Sequence, residues 1–170
     1  MKIRVFLSML VASITVALIF FAVPDLSIIP DYYAKNIRGS LFAGFLTVGS
    51  FLLSLKAFIV VKLKENVFDT QVYKDKLTEL RKINPELTLY GPVKRLSKLL
   101  FVTISSAIAA SISQLTIGLL DCWFAVLLCA FLAVFAMAML VATLLLIRRT
   151  LDEWLEYLEE AHNSATANKN

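Results

Sequence analysis

One histidine, two cysteines and five glycines in 170 residues leave little material for a reactive centre. His162 lies in a polar C-terminal stretch with no Ser, Cys or Asp placed for it to activate, so nucleophilic catalysis finds no working pair. Cys122 and Cys129 sit seven positions apart in one apolar run, about 10 Å along a helix axis, too far to bond to each other. No cluster of metal-ligand residues accompanies them, so both read as packing residues, with Cys122 at the run's edge as the one thiol placed to react. No glycine-rich phosphate loop occurs. Neither an enzyme nor a cofactor is expected.

Charge is the second scarcity. Residues 5–23, 41–61, 99–120 and 122–147 contain no Asp or Glu, and Lys56 is the single basic residue among them. What is present instead is apolar surface: 59% hydrophobic residues and a mean hydropathy of +0.76, more than a water-facing exterior absorbs. Each run reaches the ~20 residues that cross a hydrocarbon core of ~30 Å. Inside that core every backbone N–H and C=O needs a partner within its own segment, which selects helices. The fold class expected is all-α: a polytopic membrane protein of four transmembrane helices with cytoplasmic helical extensions. The boundaries expected are a first transmembrane hairpin at 1–61, a cytoplasmic helical segment at 62–98, a second hairpin at 99–147, an amphipathic acidic helix at 148–162 and a disordered tail at 163–170.

Lys2 and Arg4 before an apolar run also describe a signal peptide. The run is too long for one, and Phe20-Phe21-Ala22 lacks the small residue a cleavage site wants, so an uncleaved first span is expected, with Thr15-Val16-Ala17 as the alternative cleavage site. Basic residues beside span ends stay cytoplasmic. Nine Lys and Arg fall in 62–98, with others at both termini, against only Lys35 and Arg38 between spans one and two and none between three and four. Both termini are therefore expected in the cytoplasm and the protein in the bacterial inner membrane. The basic residues flank membrane segments and form no stacking face, so no direct nucleic-acid partner is expected.

Between spans one and two, PDLSIIPDYYAKNIRG reads as an outer loop whose Tyr32 and Tyr33 form an aromatic belt or, alternatively, a site for an outside ligand. Span two carries small residues at Ser40, Ala43, Thr47, Ser50, Ser54 and Ala57, in alternating steps of three and four that keep them on one stripe, with Gly44 beside it. Small residues let helix backbones approach in lipid, so the stripe reads as a helix-packing seam, facing either this chain or a neighbouring copy. Span three repeats the character, with Thr103, Ala110 and Gln114 as further seam residues. Gln114 is the one amide in any span, fit to bond a neighbouring helix or to line a wet path. Lys56 is placed to snorkel to headgroups.

In the cytoplasmic segment, Asp69 caps an expected helix through about Ile83, ended by Asn84-Pro85. Lys94, Arg95 and Lys98 suit lipid headgroups or a partner surface. Spans three and four are separated by Asp121 alone, an expected helix cap. Past span four, Leu151, Trp154, Leu155 and Leu158 make an apolar stripe on an acidic helix. An anionic leaflet repels such a helix, so the stripe is expected to pack on a cytoplasmic partner or within the chain.

The four-span plan, with RGSLFAGFLTVGSFLLSLKAFIVVKLKENVFD leaving the membrane and LYGPVKRLSKLL returning to it, resembles the membrane subunit of the Kiwa antiphage system and the membrane effectors linked to retrons. The resemblance lies in layout and transfers no functional residue. It implies a membrane-bound sensor or anchor that works with a cytoplasmic effector protein in antiviral defence, or an effector that damages the membrane. With the small-residue stripes the expectation is a homo-oligomeric scaffold or sensor, and with the Ser, Thr and Gln side chains of spans two and three the alternative is a pore-forming, depolarising effector.

Overall fold

The computed structural model describes residues 2–23, 28–63, 78, 82 and 91–167, and all its regular elements are helices. They are α1 (Lys2–Ala22), α2 (Ile29–Asn36), α3 (Arg38–Leu63), α4 (Gly91–Leu115), a 3-10 turn at Ile117–Leu119 and α5 (Trp123–Ala167). Among the described residues four helices are long and apolar enough to cross a membrane: Ile3–Ala22, Arg38–Ile59, Lys94–Leu119 and Trp123–Asp152. The chain is thus an all-helical, multi-pass membrane protein. Of the expected helix from Asp69 to Ile83 only Thr78 and Lys82 are among the described residues, both helical.

Three boundaries differ from expectation. The loop after span one contains α2, an eight-residue helix with Pro30 in its first turn, Asp31 beside it and Lys35 in the last. Proline's fixed φ suits a helix start, where its missing N–H removes nothing, and the two charges sit at the ends the helix dipole favours. Ile37 alone separates α2 from α3. The hairpin between α4 and α5 is longer than one residue, because Ile117–Leu119 leaves the α-helix for a tighter turn. Val126 N–H bonds the Cys122 carbonyl at 3.2 Å, so Cys122 and not Asp121 holds the N-cap position of α5. At the other end α5 continues past residue 162 to Ala167, through part of the expected tail.

The chain forms two compact units. The first comprises Met1–Ser54 and Leu99–Thr143. In it α1 runs antiparallel to α5: Arg4 donates to the Ala142 carbonyl at 3.4 Å, and the Phe20 and Trp123 rings lie 6.0 Å apart at the opposite end. Small residues set the core. Ala107, Ala110, Ala133 and Ala136 of α4 and α5 surround Phe45 of α3, so one large ring fills the space that four methyl side chains leave. Gly49 extends this contact: a Cβ built there would stand 3.5 Å from Ile108 Cγ1 and 3.8 Å from the Ala107 methyl. Close approach of this kind is how helices associate in a solvent as apolar as themselves. The second unit comprises Leu55–Lys98 and Leu144–Asn170. There Thr150 returns its hydroxyl to the Leu146 carbonyl at 2.9 Å, and Arg148 reaches Asp152 at 4.0 Å on an exposed face.

Candidate functional site

A set of polar side chains from α4 and α5 lies inside the first unit. Thr103, Ser111, Ser113, Gln114 and Thr143 are all buried, and Gln114 and Thr103 are fully so. Hydroxyl and amide groups in hydrocarbon lose hydration without regaining it, so they are stable only where another group of the protein meets them. The structure supplies those partners one by one. The Thr103 and Thr143 hydroxyls bond each other at 2.6 Å and join α4 to α5. Ser111 donates to the Phe42 carbonyl at 3.0 Å and joins α4 to α3. The Cys129 thiol reaches the Ser113 carbonyl at 3.4 Å, a second α4–α5 link.

The centre of this network is Gln114. Its Oε1 accepts from the Tyr33 hydroxyl, which α2 delivers from the connection between spans one and two. Tyr33 is only 5% exposed, so it is no member of an aromatic belt; Tyr32, its neighbour on the outer face of α2, is 61% exposed. Burial pushes the Tyr33 phenol well above its ordinary pKa, so it remains a donor at any physiological pH. Arg38, at the first turn of α3, donates to the Gly118 carbonyl at 3.1 Å, and its stem lies against Gly118, where an added Cβ would stand 3.5 Å from Arg38 Cδ and 3.6 Å from Cys129 Sγ. The two residues that bracket Ile37 thereby pin the α2–α3 corner onto the α4–α5 hairpin.

Among the described residues one buried side-chain atom lacks a partner. Gln114 Nε2 is buried with no hydrogen bond. Turning the amide over would let Nε2 donate to the Tyr33 oxygen and leave Oε1 unmet instead, so one hydroxyl serves a two-ended group in either orientation. The arrangement holds helices together; it contains no base beside a nucleophile. Among the described residues no three His, Cys, Asp or Glu side chains gather to hold a metal ion.

The residues singled out in the sequence separate into two sets. Thr103, Ala110 and Gln114 are buried at helix contacts. Ser40, Ala43, Thr47, Ser50, Ser54 and Ala57 are all exposed. Among the described residues no helix of the same chain covers the span-two stripe; α3 turns Phe45, Gly49 and Leu52 inward instead. The stripe's hydroxyls are met locally, Thr47 by the Ala43 carbonyl at 2.8 Å and Ser50 by that of Leu46 at 2.8 Å. Lys94, Arg95 and Lys98 are exposed along the first turns of α4. Leu151 and Leu155 are 45% and 60% exposed; the side chains of Trp154 and Leu158, and most of the 69–83 segment on which the stripe could pack, lie outside the described residues.

Phe45 and Gly49 escaped the sequence reading, as did the inward bonds of Tyr33 and Arg38. The signal for Gly49 was present, since Gly49 and Phe45 are one helical turn apart and α4 carries Ala107 and Ala110 at the spacing of a facing pair. No protein-family model matches the chain, nor does any curated protein or any solved structure. Functional reasoning therefore rests on the geometry of this chain alone.

Proposed function

We propose that the chain is a non-enzymatic, homo-oligomeric scaffold or sensor of the bacterial inner membrane, with both termini in the cytoplasm, that holds a soluble effector protein in antiviral defence. One observation carries the assembly: α3 displays a stripe of Ser40, Ala43, Thr47, Ser50 and Ser54 on the outside of the single chain. A helix face that meets only lipid gains nothing from small residues, whereas a face that meets another helix gains backbone contact along its length. The natural occupant is the same stripe of a second copy, because a two-fold arrangement makes one patch complementary to itself. The exposed Leu151 and Leu155 supply an apolar strip on an acidic helix for the soluble partner. Orientation follows from the basic residues of 62–98 and of both termini.

The test compares wild type with Ser50→Leu and Ser54→Leu after mild detergent extraction. Larger wild-type particles and smaller variant particles of unchanged helicity are expected; equal sizes overturn the assembly. Membrane potential, followed during expression and during challenge with phage, separates this reading from a pore-forming effector. Intact potential with a co-purifying soluble protein supports the scaffold, and collapse of potential replaces it with the pore.

A further inference from the structure

The first unit contains an apolar slot of about 830 Å³, within the ~300–1,000 Å³ common for ligand sites. Its walls come from the end of α1 (Ile19, Val23), the underside of α2, the start of α3 and a long strip of α5. That strip runs from Val126 to Met137, about 16 Å at helical rise. Half of a ~30 Å hydrocarbon core is ~15 Å, so the slot has the depth of one leaflet. Ala130 and Ala133 create the width, since a methyl side chain leaves room that Leu would fill. Tyr33 contributes its ring to the wall while its hydroxyl bonds Gln114, which keeps the slot free of polar demands.

One end of the slot is closed by α2. Tyr32 lines that end and is exposed, with an amphipathic ring suited to the headgroup level. Lys35 follows Tyr32 by three positions, on the same side of the helix, and is exposed. A cation on the helix that closes one end of a carbon-walled slot one leaflet deep, beside its lining and not part of it, suits a molecule with an acidic head and an acyl tail. We propose that this slot binds one acyl chain of an anionic glycerophospholipid from the leaflet that carries α2, with the phosphate at Lys35. The site depends on the four-span placement and is independent of the α3 stripe and of any soluble partner. It makes α2, and through Tyr33 the Gln114 network, responsive to the lipid beside it.

The full chain, reconstituted in phosphatidylethanolamine vesicles, is irradiated with phosphatidylglycerol carrying a diazirine either near the carboxyl or near the methyl end of one acyl chain. Labelled residues are mapped by peptide mass spectrometry. The methyl-end probe is expected at Met137 and the carboxyl-end probe at Val126 and Ile29. At mid-depth, Ala130 and Val134 are expected to exceed Leu128, an exposed α5 residue of the same depth, by roughly tenfold. Ala130→Phe is expected to abolish that excess, and Val141→Phe, outside the slot, to preserve it. Lys35→Gln is expected to lower labelling by the phosphatidylglycerol probe roughly threefold and to leave an uncharged diacylglycerol probe unchanged. Met137→Phe, at an exposed position, is a milder change that retains folding and shifts methyl-end labelling toward α2. Equal labelling of Ala130 and Leu128 in wild type means bulk lipid only and overturns the proposal. Particle size of the Ser50→Leu chain reports on assembly separately, so either idea can fail alone.

Discussion

Helices α3 and α4 are near twins in composition, each a hydrophobic span laced with Ser, Thr, Ala and Gly, yet half of the α4 window is buried and only 17% of the α3 window is. Composition therefore does not decide which small residues pack. In water, polarity sorts a helix into an inner and an outer face; in lipid both faces are apolar, and the sorting falls to shape and to hydrogen bonds across helices. By that criterion α4 is the hub of the first unit. Its Ser111, Ala107 and Ala110 meet α3, its Thr103 meets α5, and its Gln114 meets α2. The inner face of α3 answers with Phe45 and Gly49 and leaves its hydroxyl stripe outward.

The strongest way to break this contrast is to place the same bulk on both helices. Ala107→Leu drives three extra carbons into the junction with Phe45 and Gly49, and overpacking of this kind costs ~1–3 kcal/mol. Ala43→Leu adds the same atoms to an exposed position and is expected to leave the stability of the single chain within ~0.5 kcal/mol. Unfolding of both variants in mixed detergent, at dilution that separates copies, measures the difference. Equal losses would show that α3 and α4 are packed alike and that the exposed stripe is covered within the chain.

Next in size is the Tyr33–Gln114 bond. Tyr33→Phe removes the one partner of a buried amide, and hydrogen bonds between membrane helices are worth ~0.6–2 kcal/mol. Gln114→Leu removes both amide ends, including the unmet Nε2, and is expected to cost less than Tyr33→Phe, because no polar group then lacks a partner except the rotatable hydroxyl. A Tyr33→Phe loss larger than the Gln114→Leu loss, measured by denaturant titration, confirms the asymmetry; the reverse order shows that Gln114 has further partners. The sign of any pH effect also follows. Because burial raises the phenol pKa, the stability it contributes is fully present below the unfolded value of ~10 and declines only as pH rises above it. The Tyr33→Phe difference should therefore be flat from pH 5 to 9.

Much of this fold was legible in the sequence, and the reason is length. Four apolar runs admit four spanning helices and little else, and the ends of the four candidate spans, though not of the helices that contain them, fall within about five residues of the runs' ends. Gln114 was legible as a polar group that needs a partner, but its partner was not. Tyr33 lies 81 positions away, in a stretch whose two prolines and paired tyrosines read as loop and belt. Pro30 marks a helix start as readily as a turn, and which of two adjacent tyrosines points inward depends on how α2 lies on the hairpin. The α3 stripe was legible as a stripe. Its direction was not, because spacing identifies residues that share a face without saying what that face meets.

The smallest and sharpest comparison is between two threonines. Thr103 and Thr47 both return to lipid-embedded helices of similar character, but Thr103 shares its hydroxyl with Thr143 on another helix at 2.6 Å, whereas Thr47 bonds only the Ala43 carbonyl of its own helix. Val matches Thr in shape, so Thr→Val isolates the hydroxyl. Thr103→Val should cost ~0.6 kcal/mol, the mean for interhelical bonds in bilayers, and Thr47→Val should cost close to nothing, since the carbonyl it leaves still bonds within the helix. The measurement is the difference between the two variants under conditions that keep the copies apart. If Thr47→Val becomes the costlier change once copies are concentrated, its hydroxyl has found a partner on a second chain, and the exposed face of α3 is then to the assembly what α4 is to the single chain.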